Sequence, residues 1–274
     1  MEFAAQPNAA AAVELVATLI AHAVRVNPRP VLGLATGRTV EPVCARLVVL
    51  HRHEALDFSS CRTFNLDEYV GLSAHDPNAY RAYMNRHLFE KVNVNLQNTH
   101  VPDGMAADVN AECARYEQLI TQWGGIDLQL LGIGLNGHIG FNEPPSEPGS
   151  LTHVQKLSLA TLEQNAPLFK FPESMPRNAI TMGIGTILKS RRCVLLATGS
   201  EKAEVVARMV EGPLTNAVPA SVLQTHFNCV VVLDEAAASS LKEIVSSKSQ
   251  GRNKKILSPV SRRAEAELVG DDFA

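Results

Sequence analysis

Short apolar runs alternate with longer helical stretches through most of this chain, and no other feature constrains its fold as strongly. Residues 30–35, 61–66, 127–133, 192–198 and 228–233 each read as a strand buried on both faces. Helical patterns occupy about 78–91, 107–123 and 200–211 between or after them. Strands separated by helices are βαβ units, so the expected class is α/β, a doubly wound and mostly parallel sheet with helices on both faces. Such sheets bind ligands beyond the carboxyl ends of their strands. That rule selects the stretches 36–39, 67–69, 134–143 and 199–202, each of which follows a predicted strand.

The 274 residues are read as a single α/β domain over 1–245, followed by a polar, basic tail over 246–274 that carries Lys248, Arg252, Lys254 and Lys255. Within the domain, residues 144–177 lose clear periodicity and hold several prolines, which suggests a lid or binding segment. The apolar run 9–24 is interrupted by Glu14 and His22 and has no basic leader, so it reads as an amphipathic first helix rather than a signal peptide or membrane anchor. Five scattered cysteines without a CxxC pair suggest neither zinc nor disulfides, and fit reduced thiols in the cytoplasm. A formal charge of −3 exerts no global pull on nucleic acid or an anionic membrane. An anionic ligand would need a local site.

Four constellations could supply one. Thr36-Gly37-Arg38-Thr39 joins a strand to a helix, with Thr39 as the expected cap; its amides and hydroxyls could cradle a phosphate, or form a plain turn. Asn65-Leu66-Asp67-Glu68-Tyr69 places adjacent carboxylates at a strand end. They point to opposite faces if the strand persists, so at most one should meet a substrate, where burial would make it a usable base. The glycine-rich run 132–143 presents His138, Asn136 and Glu143 in one short loop, and Glu143 could hold His138 in one tautomer. Lys202 lies in the first turn of a predicted helix, where the macrodipole disfavours a cation unless an anion or Glu201 and Glu204 offset it.

In this order the motifs resemble the glucosamine-6-phosphate deaminase (isomerase) family. Asn-Leu-Asp-Glu-Tyr (65–69) and Gly-His-Ile-Gly-Phe-Asn-Glu-Pro (137–144) carry the resemblance, with support from 181–186 and 219–224. The resemblance implies conversion of glucosamine 6-phosphate and water to fructose 6-phosphate and ammonia, with no metal or organic cofactor. His138, with Asn136 and Glu143 beside it, would assist ring opening, and Asp67 would move a proton between C2 and C1. Thr36, Gly37, Arg38, Thr39 and Lys202 would hold the phosphate. A galactosamine-6-phosphate deaminase, a 6-phosphogluconolactonase-like enzyme and a catalytically weak sugar-phosphate sensor are the alternatives.

The chain also departs from the family pattern. Pro167 stands where active members place a lid arginine, and Arg38 stands where they usually have a small residue. Arg38 is therefore expected to supply the missing cation, with Lys170 as its rival. Residues 150–156 lack the paired basic groups by which activated members bind N-acetylglucosamine 6-phosphate. Little activation by that ligand, and a monomer or small homo-oligomer, are expected.

Overall fold

The computed structural model describes residues 1–242 and the short strand Ile256–Leu257; the basic cluster at 248–255 lies outside them. Its strands are β1 (Glu2–Gln6), β2 (Val31–Leu34), β3 (Arg62–Asn65), β4 (Asp67–Tyr69), β5 (Thr99–His100), β6 (Leu128–Leu131), β7 (His153–Lys156), β8 (Asn178–Thr181), β9 (Arg192–Ala197), β10 (Cys229–Asp234) and β11 (Ile256–Leu257). The helices are α1 (Ala9–Val26), α2 (Glu41–His53), α3 (Tyr80–His87), α4 (Val109–Gln122), α5 (Leu159–Asn165), α6 (Ile184–Leu188) and α7 (Ala203–Glu211).

Eight strands form one parallel sheet in the order β11-β1-β10-β9-β6-β2-β3-β5. Every residue of β2, β6, β9 and β10 is buried, as expected of apolar strands covered on both faces. From β2 the chain runs outward through β3 to β5, then returns to place β6 on the other side of β2. This reversal opens a crevice at the carboxyl ends of β2 and β6, the usual ligand position in an open α/β sheet. At the opposite end, Asp127 ties the two strands together: its Oδ2 accepts from the Val31 amide (2.8 Å) and from Asn27 (2.9 Å), and Oδ1 pairs with Arg191.

Helix α1 starts at Asn8, whose Oδ1 accepts from the Ala11 amide at 2.9 Å. By length and composition alone it could cross a membrane, but half of it is buried in this fold and it joins the core through Leu15, Leu19 and Ile20. The strand β1 escaped the sequence reading because its two alanines have little strand preference of their own; parallel pairing with β10 imposes the conformation.

One expectation is corrected and one segment gains detail. Residues 144–177, where the sequence shows no clear periodicity, hold regular structure. They contain β7, α5 and two 3₁₀ turns, and β7 joins β8 and β4 in a separate antiparallel sheet, β4-β8-β7. Leu157, Phe169 and Met175 of this segment join Tyr69, Phe141 and Ala179 in a second apolar cluster, so its elements are too short to read as periodicity but its burial is real. Thr39 does not cap α2. The N-cap is Val40, without a side-chain bond, and the turn closes through the amides of Val40 and Glu41 on the Gly37 carbonyl (3.1 and 3.0 Å).

Candidate active site

The crevice at the strand ends is a cavity of about 530 Å³. Its wall includes Thr36–Thr39 after β2, Asp67 after β3, Gly134 and His138 after β6, and Lys202 after β9. The structure thus gathers the stretches that the strand-end rule selected. Glu143 and Asn136 lie outside the wall, each in contact with a residue on it.

Asp67 and Glu68 divide as the strand alternation requires. Glu68 is buried and turns away, its carboxylate accepting the amides of Tyr69, Tyr80 and Arg81, each at 2.9 Å. It thereby caps α3 and fixes Tyr80 against the cavity. Asp67 is 7% exposed, and its carboxylate makes no hydrogen bond among the described residues. Burial, with the neighbouring Glu68 charge, pushes its carboxyl up to about 8. An unpaired carboxyl of that acidity can take a proton from carbon once ionised.

The loop with His138 is drawn toward Asp67 by the small sheet. The Phe141 amide donates to Thr181 Oγ1 (3.0 Å), Asn142 Nδ2 donates to the Ile139 and Met182 carbonyls (2.9 and 2.8 Å), and the Met182 amide reaches Leu66 at 2.6 Å. A Cβ added at Gly140 would lie 3.5 Å from Asp67 Oδ2. His138 is therefore delivered two residues away from a direct neighbour of the carboxylate.

Asn136 sets the imidazole. Its Oδ1 receives the His138 backbone amide (3.2 Å), which identifies that atom as the oxygen, and it lies 2.6 Å from His138 Nδ1. Nδ1 must then carry the proton, leaving the Nε2 lone pair available. Burial, assisted by Lys202, pushes His138 down to about 4 against the opposing effect of Glu143, so the ring is neutral at pH 7. The expected pairing of Glu143 with His138 is not a hydrogen bond here. Glu143 instead accepts from the Ser158 amide (2.6 Å) and the Thr161 hydroxyl, both at the start of α5, because the chain turns its carboxylate toward the lid.

Gly134 is required by this packing, since a side chain there would occupy the space of the His138 ring. Gly134→Ala is expected to displace the imidazole and lower turnover about 10²-fold, the lower end of a general acid–base contribution. Circular dichroism and the unfolding midpoint, measured alongside activity, check that the fold survives.

Two cationic groups, Arg38 and Lys202, also line the cavity. Lys202 ends the 3₁₀ turn Ser200–Lys202 that leads directly into α7, in the opening turn as expected, and its Nζ donates to the Ile133 carbonyl at 2.8 Å. Burial lowers its pKa, Glu201 opposes this, and the facing charge of Arg38 lowers it further. Arg38 is exposed at the rim, and neither its side chain nor the amides of Gly37, Arg38 and Thr39 find a partner among the described residues. Lys170 does not line the cavity; its ammonium lies 5.5 Å from the Phe171 ring. Tyr80, Thr161, Gln164 and Asn165 also line the wall and were not singled out from sequence. They sit far along the chain from the motifs, and only folding of the small sheet brings the lid residues near.

The sequence pattern for glucosamine-6-phosphate isomerases and 6-phosphogluconolactonases matches residues 4–232. A glucosamine-6-phosphate deaminase of Geobacillus sp. is 51% identical over 223 residues, which cover 81% of this chain and 89% of the relative. The Cellvibrio japonicus deaminase is 49% identical over 237 residues, 86% and 90% of the two chains. A solved structure described as a monomeric glucosamine-6-phosphate deaminase superposes with a TM-score of 0.84 at 44% identity, covering 88% of this chain and 100% of the other. The 6-phosphogluconolactonase of Thermotoga maritima shares the fold (TM-score 0.67, 19% identity, covering 85% and 97%).

Proposed function

Because this chain belongs to the glucosamine-6-phosphate isomerase/6-phosphogluconolactonase family, we propose that it converts glucosamine 6-phosphate and water to fructose 6-phosphate and ammonia by general acid–base catalysis. The observation that carries this reading is the pair of unlike bases in one cavity, a buried carboxyl without a partner and a neutral imidazole with its Nε2 lone pair free.

In this reading His138 Nε2 takes the proton of the C1 hydroxyl and passes it to the ring oxygen, opening the pyranose to the C1 aldehyde. Asp67, ionised, then removes the C2 proton while the C2 ammonium gives up a proton and O1 gains one, forming an enolamine, and Asp67 returns its proton to C1 to leave an iminium at C2. Water adds at C2 and ammonia leaves. An ammonium group on C2, bound beside Asp67, favours the ionised carboxylate that burial disfavours. The phosphate lies on the 36–39 turn, between Arg38 and Lys202, where free amides and two cations meet.

Residues 144–177 act as the lid, and Glu143 holds α5 over the cavity rather than serving His138 directly. Glu143→Gln removes one charge-assisted acceptor, a bond of roughly 1.5–3 kcal/mol. We expect KM to rise about tenfold with the pH profile unmoved; a shifted profile would instead mark Glu143 as the imidazole's partner. The five cysteines, all buried free thiols, support a reducing cytoplasmic setting. The solved relative described as monomeric supports a monomer or small oligomer.

The deciding assay incubates the protein with glucosamine 6-phosphate and measures ammonia and fructose 6-phosphate together. Equal amounts of both support the deaminase. Binding without either product would overturn it in favour of a sugar-phosphate sensor.

A further inference from the structure

The cavity has a fixed wall and a lid wall, and their chemistry differs. Arg38 and Lys202, on the loops after β2 and β9, are the cations among its lining residues. The lid contributes Thr161, Gln164 and Asn165 from α5, all uncharged. The lid's own cations, Lys156, Lys170 and Arg177, are exposed and lie outside the lining. A phosphate dianion is held where cations and free amides converge, so it has no charged contact to gain from the lid.

Two of the three lid groups are already engaged. The Thr161 hydroxyl donates to Glu143, and the Asn165 amide donates to Tyr69 Oη at 3.2 Å. The Gln164 amide makes no hydrogen bond among the described residues and lines the cavity. A carboxamide offers both donors and an acceptor, the complement of a sugar hydroxyl.

We propose that this enzyme binds its phosphate entirely from the fixed wall, and that Gln164 is a specificity-determining residue through which the lid reads the uncharged sugar. The sugar half of this proposal rests on the deaminase reading; the phosphate half does not.

Calorimetric titration separates the two halves. The ligands are inorganic phosphate and the C1-reduced alditol of glucosamine 6-phosphate, which cannot isomerise. Arg38→Ala is expected to weaken both ligands by the same factor, about tenfold or more. Gln164→Ala should leave the phosphate affinity unchanged and weaken the alditol phosphate about 2- to 10-fold, the range of one neutral hydrogen bond. Lys170→Ala should change neither. Loss of phosphate affinity in Gln164→Ala or Lys170→Ala, or failure of the unaltered protein to bind phosphate, would overturn the fixed-wall assignment. An alditol affinity untouched by Gln164→Ala would overturn the role of Gln164. Ammonia release by the unaltered protein, measured separately, shows whether a failure belongs to the deaminase reading instead.

Discussion

Asp67→Asn lowers kcat about 10³- to 10⁴-fold, the upper range for losing a positioned base, while affinity for the phosphosugar changes little. The amide keeps the shape of the side chain but cannot accept the C2 proton. The 36–39 turn and Lys202, the proposed phosphate site, belong to other elements and stay intact. In the unaltered protein, burial raises the Asp67 carboxyl to about 8, so the ionised fraction grows as pH rises and kcat/KM should climb toward a plateau above that value. The substrate phosphate titrates near 6, about two units lower, and a pH series of binding alone separates the two events. Glu68→Gln removes the charge that adds to the burial of Asp67, and the limb should then move to lower pH.

His138→Gln produces the second large effect, a fall in kcat of about 10²- to 10³-fold, because ring opening loses its proton acceptor. His138 is held to about 4, so it stays neutral above roughly pH 5 and contributes no limb near neutrality. The acid limb of the profile therefore belongs to Asp67. Asn136→Leu tests the orientation separately: it leaves the ring in place but frees Nδ1 from its acceptor 2.6 Å away. Its expected cost is smaller than that of His138→Gln. A substrate supplied already open at C1 should recover more activity in either variant than in Asp67→Asn, since only the later proton transfer remains. Burst measurements with the open-chain form check this.

Much of this arrangement was legible in the residues. Buried strands such as Val230–Leu233 declare themselves because both faces are apolar, and the parallel order then places every strand-end loop on one side. The separate fates of Asp67 and Glu68 follow from strand alternation. Other features depend on contacts that no local pattern encodes. The turn of Glu143 toward Ser158 and Thr161 arises only when α5 packs across the cavity. Tyr80 reaches the wall because Glu68 caps α3, a bond between residues twelve apart. The hold of Asn136 on His138 is local, yet a sequence cannot say which of two nearby side chains, Asn136 or Glu143, faces Nδ1. Arg38 is the opposite case: its place in the 36–39 turn was readable, and the structure adds that it lines the cavity whereas Lys170, the other candidate, does not.

Glucosamine 6-phosphate carrying deuterium at C2 offers the most direct measurement. Nuclear magnetic resonance follows loss of that label in the presence of the unaltered protein and of Asp67→Asn, with ring opening monitored in the same spectra. The unaltered protein should remove the C2 label as fructose 6-phosphate appears, whereas Asp67→Asn should still open the ring but leave the deuterium in place. Release of the label by Asp67→Asn at the unaltered rate would contradict the assignment of Asp67 as the base.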